Sequence, residues 1–264
     1  MDRQSPFVKR KKITTWKKMI QLYSERGPAG VLRHIRAVLW LRAHAWWDRR
    51  IRNLNTNDET ASNVVLDEVS IRGPNRDAGI DYEPAPWSVL DWVQEALPQP
   101  TAEWSFVDFG AGKGRVVLHA SRLPYGNVVG VEFAKELVES AQELLEAAPI
   151  IRAGSVEIIN QDAAEYKLPD TSVVAFFFNP FDPPVINRVA TTIAQSYKEC
   201  PRPIYIVYLN PVHHDVFDDL EDFNLVKLAW STGLKFRALS PNSVRLYATR
   251  EATSREALEA GLSS

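Results

Sequence analysis

This chain of 264 residues holds a single cysteine, Cys200. One thiol excludes an internal disulfide and a cysteine-built zinc site, and it agrees with a reducing compartment. Long apolar runs are missing as well. The most apolar stretch near the start, 37–41, lies between Arg36 and Arg42, far short of the ~20 residues a membrane span needs. The basic start lacks the uncharged core of a secretory signal, so the expected location is the cytoplasm, free or peripheral at a membrane. Net charge is nearly absent too. There are 31 Lys and Arg against 33 Asp and Glu, a formal total of −2.

That small total hides a division. Residues 1–52 carry 14 Lys/Arg and 3 Asp/Glu, a net of +11, whereas residues 53–264 carry 17 and 30, a net of −13. A basic head on an acidic body is a signal about partners rather than fold. An apolar fraction of 45% with 10% aromatics is too high for wholesale disorder.

The head reads as two helices, with Ile13, Trp16, Ile20 and Tyr23 at helical spacing before the Gly27-Pro28 break. Residues 53–63, NLNTNDETASN, are polar and form a linker. Residues 64–252 are the expected main domain, and 253–264 a tail. Trp87, Leu90, Val93 and Leu97 have helical spacing after Pro86. From Trp104 onward, apolar strands are expected at 104–109, 127–132, 155–160, 173–178, 203–209, 223–230 and 243–249. The clearest helix between them is Ala134 to Ala148. Strands alternating with helices predict an α/β fold, a doubly wound and mostly parallel seven-stranded sheet.

The strongest local signal is FVDFGAGKGR, Phe106 to Arg115. An apolar strand ends in Asp108, and Gly110, Gly112 and Gly114 follow at alternate positions before a helix. Glycines allow a tight turn there and close approach of a ligand to the backbone. The dinucleotide fingerprint needs a third glycine where Arg115 stands, and the phosphate loop needs a Lys-Ser/Thr pair that does not follow Lys113. A third reading is the GxGxG loop that binds S-adenosylmethionine (SAM). It asks for acids at the next strand ends. NVVGVEF supplies Glu132, beside Phe133, and SVEIINQDA supplies Asp162. The fourth strand runs into Asn179-Pro180-Phe181. All lie at strand carboxyl ends, where open parallel sheets bind ligands. Asp108 and Glu132 also have a plainer reading as loop and helix caps.

On these residues the chain resembles the class I, seven-stranded SAM-dependent methyltransferases over about residues 80–250. The resemblance implies that Asp108, Gly110, Ala111, Gly112, Gly114, Glu132, Phe133 and Asp162 hold SAM, Glu132 at the ribose hydroxyls and Asp162 at the adenine. It implies that 223–230 and 243–249 form an antiparallel hairpin at the sheet edge. Asn179-Pro180-Phe181 resembles the turn after the fourth strand in amine methyltransferases, which makes these three the candidate catalytic residues. The Asn179 amide oxygen and a nearby carbonyl can accept the N–H bonds of an amine, and the Phe181 ring can face the developing cation. The base-amine enzymes of nucleic acids carry a second proline and then an aromatic. Here Phe181 and Asp182 stand instead, which argues against a base-flipping role. Phe181 reads equally well as a hydrophobic plug.

Tyr82-Glu83-Pro84 is similar to a segment before the glycine loop in protein-lysine methyltransferases of this fold. That resemblance implies Tyr82 as a lid over the cofactor and lysine as the acceptor, while a packed tyrosine is the plainer reading. A small-molecule methyltransferase and a non-catalytic docking module are the alternatives. Three readings fit the basic head: docking of an acidic partner, an anionic membrane surface, or a helical cover on the acidic body. Nucleic acid ranks last, because the body itself is acidic. His213-His214-Asp215 lacks further ligands for a metal and reads as a plain loop.

Overall fold

Strands covered on both faces read as unbroken apolar runs, and two runs here are buried from end to end. These are β1 (Trp104–Phe109) and β5 (Ile204–Leu209). The computed structural model describes residues 85–229 apart from 149, residues 243–253, and the single positions 28, 39, 233 and 235. The rest of the basic head, the linker and Tyr82 lie outside the described residues.

Between α1 (Trp87–Glu95) and the end of the sheet the chain alternates strand and helix. α2 (Arg115–Ser121) follows β1, then come β2 (Asn127–Glu132), α3 (Lys135–Glu146) and β3 (Ser155–Asn160). A 3₁₀ turn, Ala163–Glu165, leads to β4 (Ser172–Phe178) and α4 (Pro183–Glu199). After β5 come α5 (Asp215–Asp218), β6 (Phe223–Leu225) and β7 (Val244–Thr249). Pro183 and Pro184 open α4, where a missing N–H costs nothing and φ is already helical.

The strands lie in the order β3-β2-β1-β4-β5-β7-β6. β1 to β5 are parallel, and β7 is antiparallel to both of its neighbours. Strand order therefore reverses between β1 and β4, the place where open sheets of this kind leave a crevice beyond the strand ends. The sheet matches the expected doubly wound, mostly parallel arrangement with its antiparallel edge. Only the run 223–230 falls short, being strand over Phe223–Leu225 alone.

Alternate residues of each strand feed opposite cores. Phe106, Val128, Phe176 and Val207 meet Trp87, Leu90, Val117 and Val138 on one face. Val107, Phe109, Phe177 and Tyr208 meet Ile186, Val189, Ile193 and Phe217 on the other. α1 locks onto α2 through Trp87, with the Arg115 and Arg122 guanidinium groups 5.4 and 5.3 Å from its ring. His119 bonds Asp91 at 3.0 Å in the same seam, which makes it a packing residue.

The opposite end of the sheet is tied by Arg202, only 5% exposed. Its guanidinium donates to the carbonyls of Thr171 (2.9 Å), Ser196 (2.9 Å), Cys200 (2.7 Å) and Pro169 (2.8 Å), and to Ser196 Oγ (2.8 Å). One planar fork thus joins the β4 entry, the α4 end and the β5 entry. Arg202→Ala leaves several carbonyls without donors and is expected to cost roughly 3 kcal/mol or more. Urea unfolding followed by circular dichroism measures this. A loss under about 1 kcal/mol would show that the fork is dispensable.

Candidate cofactor and acceptor site

The glycine loop is built from backbone that other residues adopt only under strain. Gly110, Gly112 and Gly114 have φ of 80°, 54° and 77°. At Gly110 a Cβ would lie 2.4 Å from Pro180 Cβ, so the loop after β1 and the turn after β4 touch with no space between them. The Gly110 and Ala111 N–H groups donate to the Val131 carbonyl at 2.9 and 3.1 Å. Gly114 then takes the left-handed position just before α2.

Glu132 holds this loop. Its Oε2 accepts the Gly112 N–H and its Oε1 the Ala134 N–H, both at 2.9 Å. The carboxylate is 4% exposed, and burial raises its pKa while the backbone N–H bonds oppose that rise. Asp108 sits one strand over, opposite Gly130, and is 2% exposed. Its Oδ2 is buried with no hydrogen-bond partner among the described residues. Burial first, and the neighbouring Glu132 second, push its pKa well above the usual carboxylate range.

Asp162 stands at the end of β3 as the cap of the 3₁₀ turn, its Oδ1 accepting the Ala164 N–H at 2.9 Å. Phe133 is half-buried. Its carbonyl and that of Glu132 accept from Asn160 Nδ2, at 3.0 and 3.1 Å. Asn160 thereby fixes the turn after β2, a role its place at the end of an apolar run did not reveal.

On the acceptor side, Asn179 follows β4 with φ of 41°, and its Oδ1 accepts the Tyr208 hydroxyl at 3.3 Å. The Asn179 oxygen expected to meet an amine is therefore turned toward Tyr208, which occupies one of its two lone pairs. Phe181 is 4% exposed and belongs to the α4-side core, and its ring tip lies 3.7 Å from where a Cβ on Gly110 would stand, so the ring plugs the floor beside the glycine loop. Asn210 repeats the Asn-Pro pattern after β5 with φ of 52°. That repeat, FNP and LNP at the ends of adjacent strands, was visible in the sequence as a signal. Near it, His214 Nδ1 lies 2.8 Å from Asp218 Oδ2, and Asp218 also receives Arg245 and Tyr247. This arrangement is an ion-pair network at the start of α5, where His214 precedes the helix and Asp215 opens it.

The structure thus brings Asp108, the three glycines, Ala111, Glu132 and Pro180 to one crevice, with Asp162 at the neighbouring strand end. Residues 106–199 match the family model described as a methyltransferase domain. Residues 106–199 are thus a methyltransferase domain. The chain is also similar to solved structures. An RNA methyltransferase from Salinibacter ruber, bound to S-adenosyl-L-homocysteine, is 20% identical with a TM-score of 0.41, over 63% of this chain and 92% of that one. A SAM-dependent methyltransferase from Aquifex aeolicus is 12% identical with a TM-score of 0.45, over 60% and 88%. No sequence among the curated proteins matches the chain. The methyltransferase crevice fits SAM on its own geometry. Left-handed glycines leave backbone open to a ligand, and an orphaned buried carboxyl suits one that brings positive charge.

Asp108 gives the methyltransferase domain a testable pH signature. Its pKa is raised on folding, so its favourable share of stability is complete below about pH 4 and is lost as pH rises toward the folded value. Asn cannot ionise and escapes that loss. Asp108→Asn should therefore melt higher than wild type at neutral pH, with the gap closing toward about pH 4. Thermal melts across pH check this. A gap that stays constant or widens in acid would contradict it.

Proposed function

We propose that the domain transfers a methyl group from SAM to a nitrogen acceptor presented at the Asn179-Pro180 turn. The observation that carries this reading is the direct contact of Gly110 with Pro180. It sets the cofactor loop and the acceptor turn against each other across the crevice. Asp108, Gly110, Ala111, Gly112 and Gly114 line the methionine end. Glu132, Phe133 and Asp162 lie along the adenosine end. The Glu132 carboxylate accepts backbone N–H groups from Gly112, Phe133 and Ala134, and of its roughly four lone-pair sites one remains for a ribose hydroxyl.

When bound, SAM supplies a methyl on a cationic sulfur: the acceptor lone pair bonds the methyl carbon as the sulfur–carbon bond breaks, sulfur keeps the pair as a neutral thioether, and the nitrogen sheds a proton to solvent. The protein's task is placement, which contributes up to ~7–11 kcal/mol in favourable cases. Lysine is the nitrogen that the sequence resemblance supplies. The basic segment 1–52 is in this reading a docking element for an acidic partner or an anionic surface.

Calorimetric titration with SAM and with its demethylated product tests the reading. Wild type should bind both, and Glu132→Ala should weaken both by about tenfold or more while circular dichroism stays unchanged. Folded wild type that binds neither ligand rejects the function. Equal affinity in the variant removes Glu132 from the site.

A further inference from the structure

Tyr208 is fully buried, its ring packed against Phe177 and Phe217, and its hydroxyl reaches the turn after β4. The hydroxyl oxygen accepts the His213 N–H at 3.4 Å, and its single proton goes to Asn179 Oδ1 at 3.3 Å. The flipped amide would aim two donors at one hydroxyl and leave that proton buried without an acceptor among the described residues. Oδ1 therefore points inward, and Nδ2 points away from Tyr208 with no hydrogen-bond partner among the described residues. The turn has little freedom to change this. Asn179 is left-handed and precedes proline, a combination that proline disfavours, and Asn210-Pro211 repeats it one step beyond the Phe178–Leu209 pair.

We infer that Asn179 meets the methyl acceptor as a hydrogen-bond donor, through Nδ2, and that the acceptor carries a hydrogen-bond-accepting atom beside the methylated nitrogen. Carboxamides and heteroaromatic amines have such an atom; a lone alkylamine has only the lone pair that attacks the methyl. Tyr208 is the positioning residue that sets this polarity. The inference rests on the proposed function and narrows it, away from lysine.

Asn179→Asp is the decisive variant. It keeps an oxygen for Tyr208 and replaces only the outward donor with an acceptor. The full chain, wild type and variants, is incubated with methyl-tritiated SAM and a lysate of cells lacking this protein. Label is read separately in protein, nucleic acid and small molecules, with SAM affinity measured alongside by calorimetry. Asn179→Asp should lose about 100-fold or more in transfer rate with SAM binding no weaker than wild type. Tyr208→Phe should lose about tenfold through a raised KM for the labelled fraction and add nothing in the double variant. Asn179→Asp that transfers as well as wild type overturns the inference alone, as does methyl recovered on lysine side chains. Wild type that binds no SAM rejects the proposed function instead, and wild type that binds SAM but labels no fraction rejects both.

Discussion

There is no room for a side chain at Gly110, and the rest of the site depends on that. The loop after β1 and the turn after β4 belong to strands that are neighbours in the sheet but separated by two helices and two strands in sequence. Their ends meet at Gly110 and Pro180, closer than any Cβ permits. The reversal of strand order opens the crevice, and this contact determines how near its two walls stand. One wall is bare glycine backbone and the other an Asn-Pro turn held in a strained conformation. A transfer that needs two reactants in line benefits from walls that cannot drift apart.

Electrostatics act on the same crevice from below. Glu132 accepts backbone N–H groups through both oxygens, which shapes the glycine loop before any ligand arrives. Asp108 makes no such bond through Oδ2, and the nearby Glu132 charge adds to the burial that opposes its ionisation. Two carboxyls thus divide the work. One is anchored by backbone N–H groups, and the other is held in an unfavourable state that a cationic ligand relieves.

The sequence revealed the fold well because its strands are buried on both faces. WSFVDF and IYIVYL stand out as apolar runs bounded by turn residues, and the mostly parallel sheet followed from alternation with helices. The run at 223–230 misled for the opposite reason. β6 is an edge strand paired only to β7, with two of its three residues exposed, so apolar character continued past the end of pairing. Spacing also placed the glycines and strand-end acids together. It could not show which way an amide faces. Tyr208 lies 29 residues beyond Asn179, and only register brings its hydroxyl to that oxygen. Phe181 had two readings of equal weight until burial placed its ring in the core, and Tyr82 lies outside the described residues.

The most direct measurement is the SAM affinity of Gly110→Ala by calorimetry, with circular dichroism to verify the sheet. One methyl group at this position must push the Pro180 turn away from the cofactor loop. The account predicts a folded protein whose affinity for SAM falls by about tenfold or more. A folded variant that binds SAM as wild type does would contradict the claim that this contact builds the site.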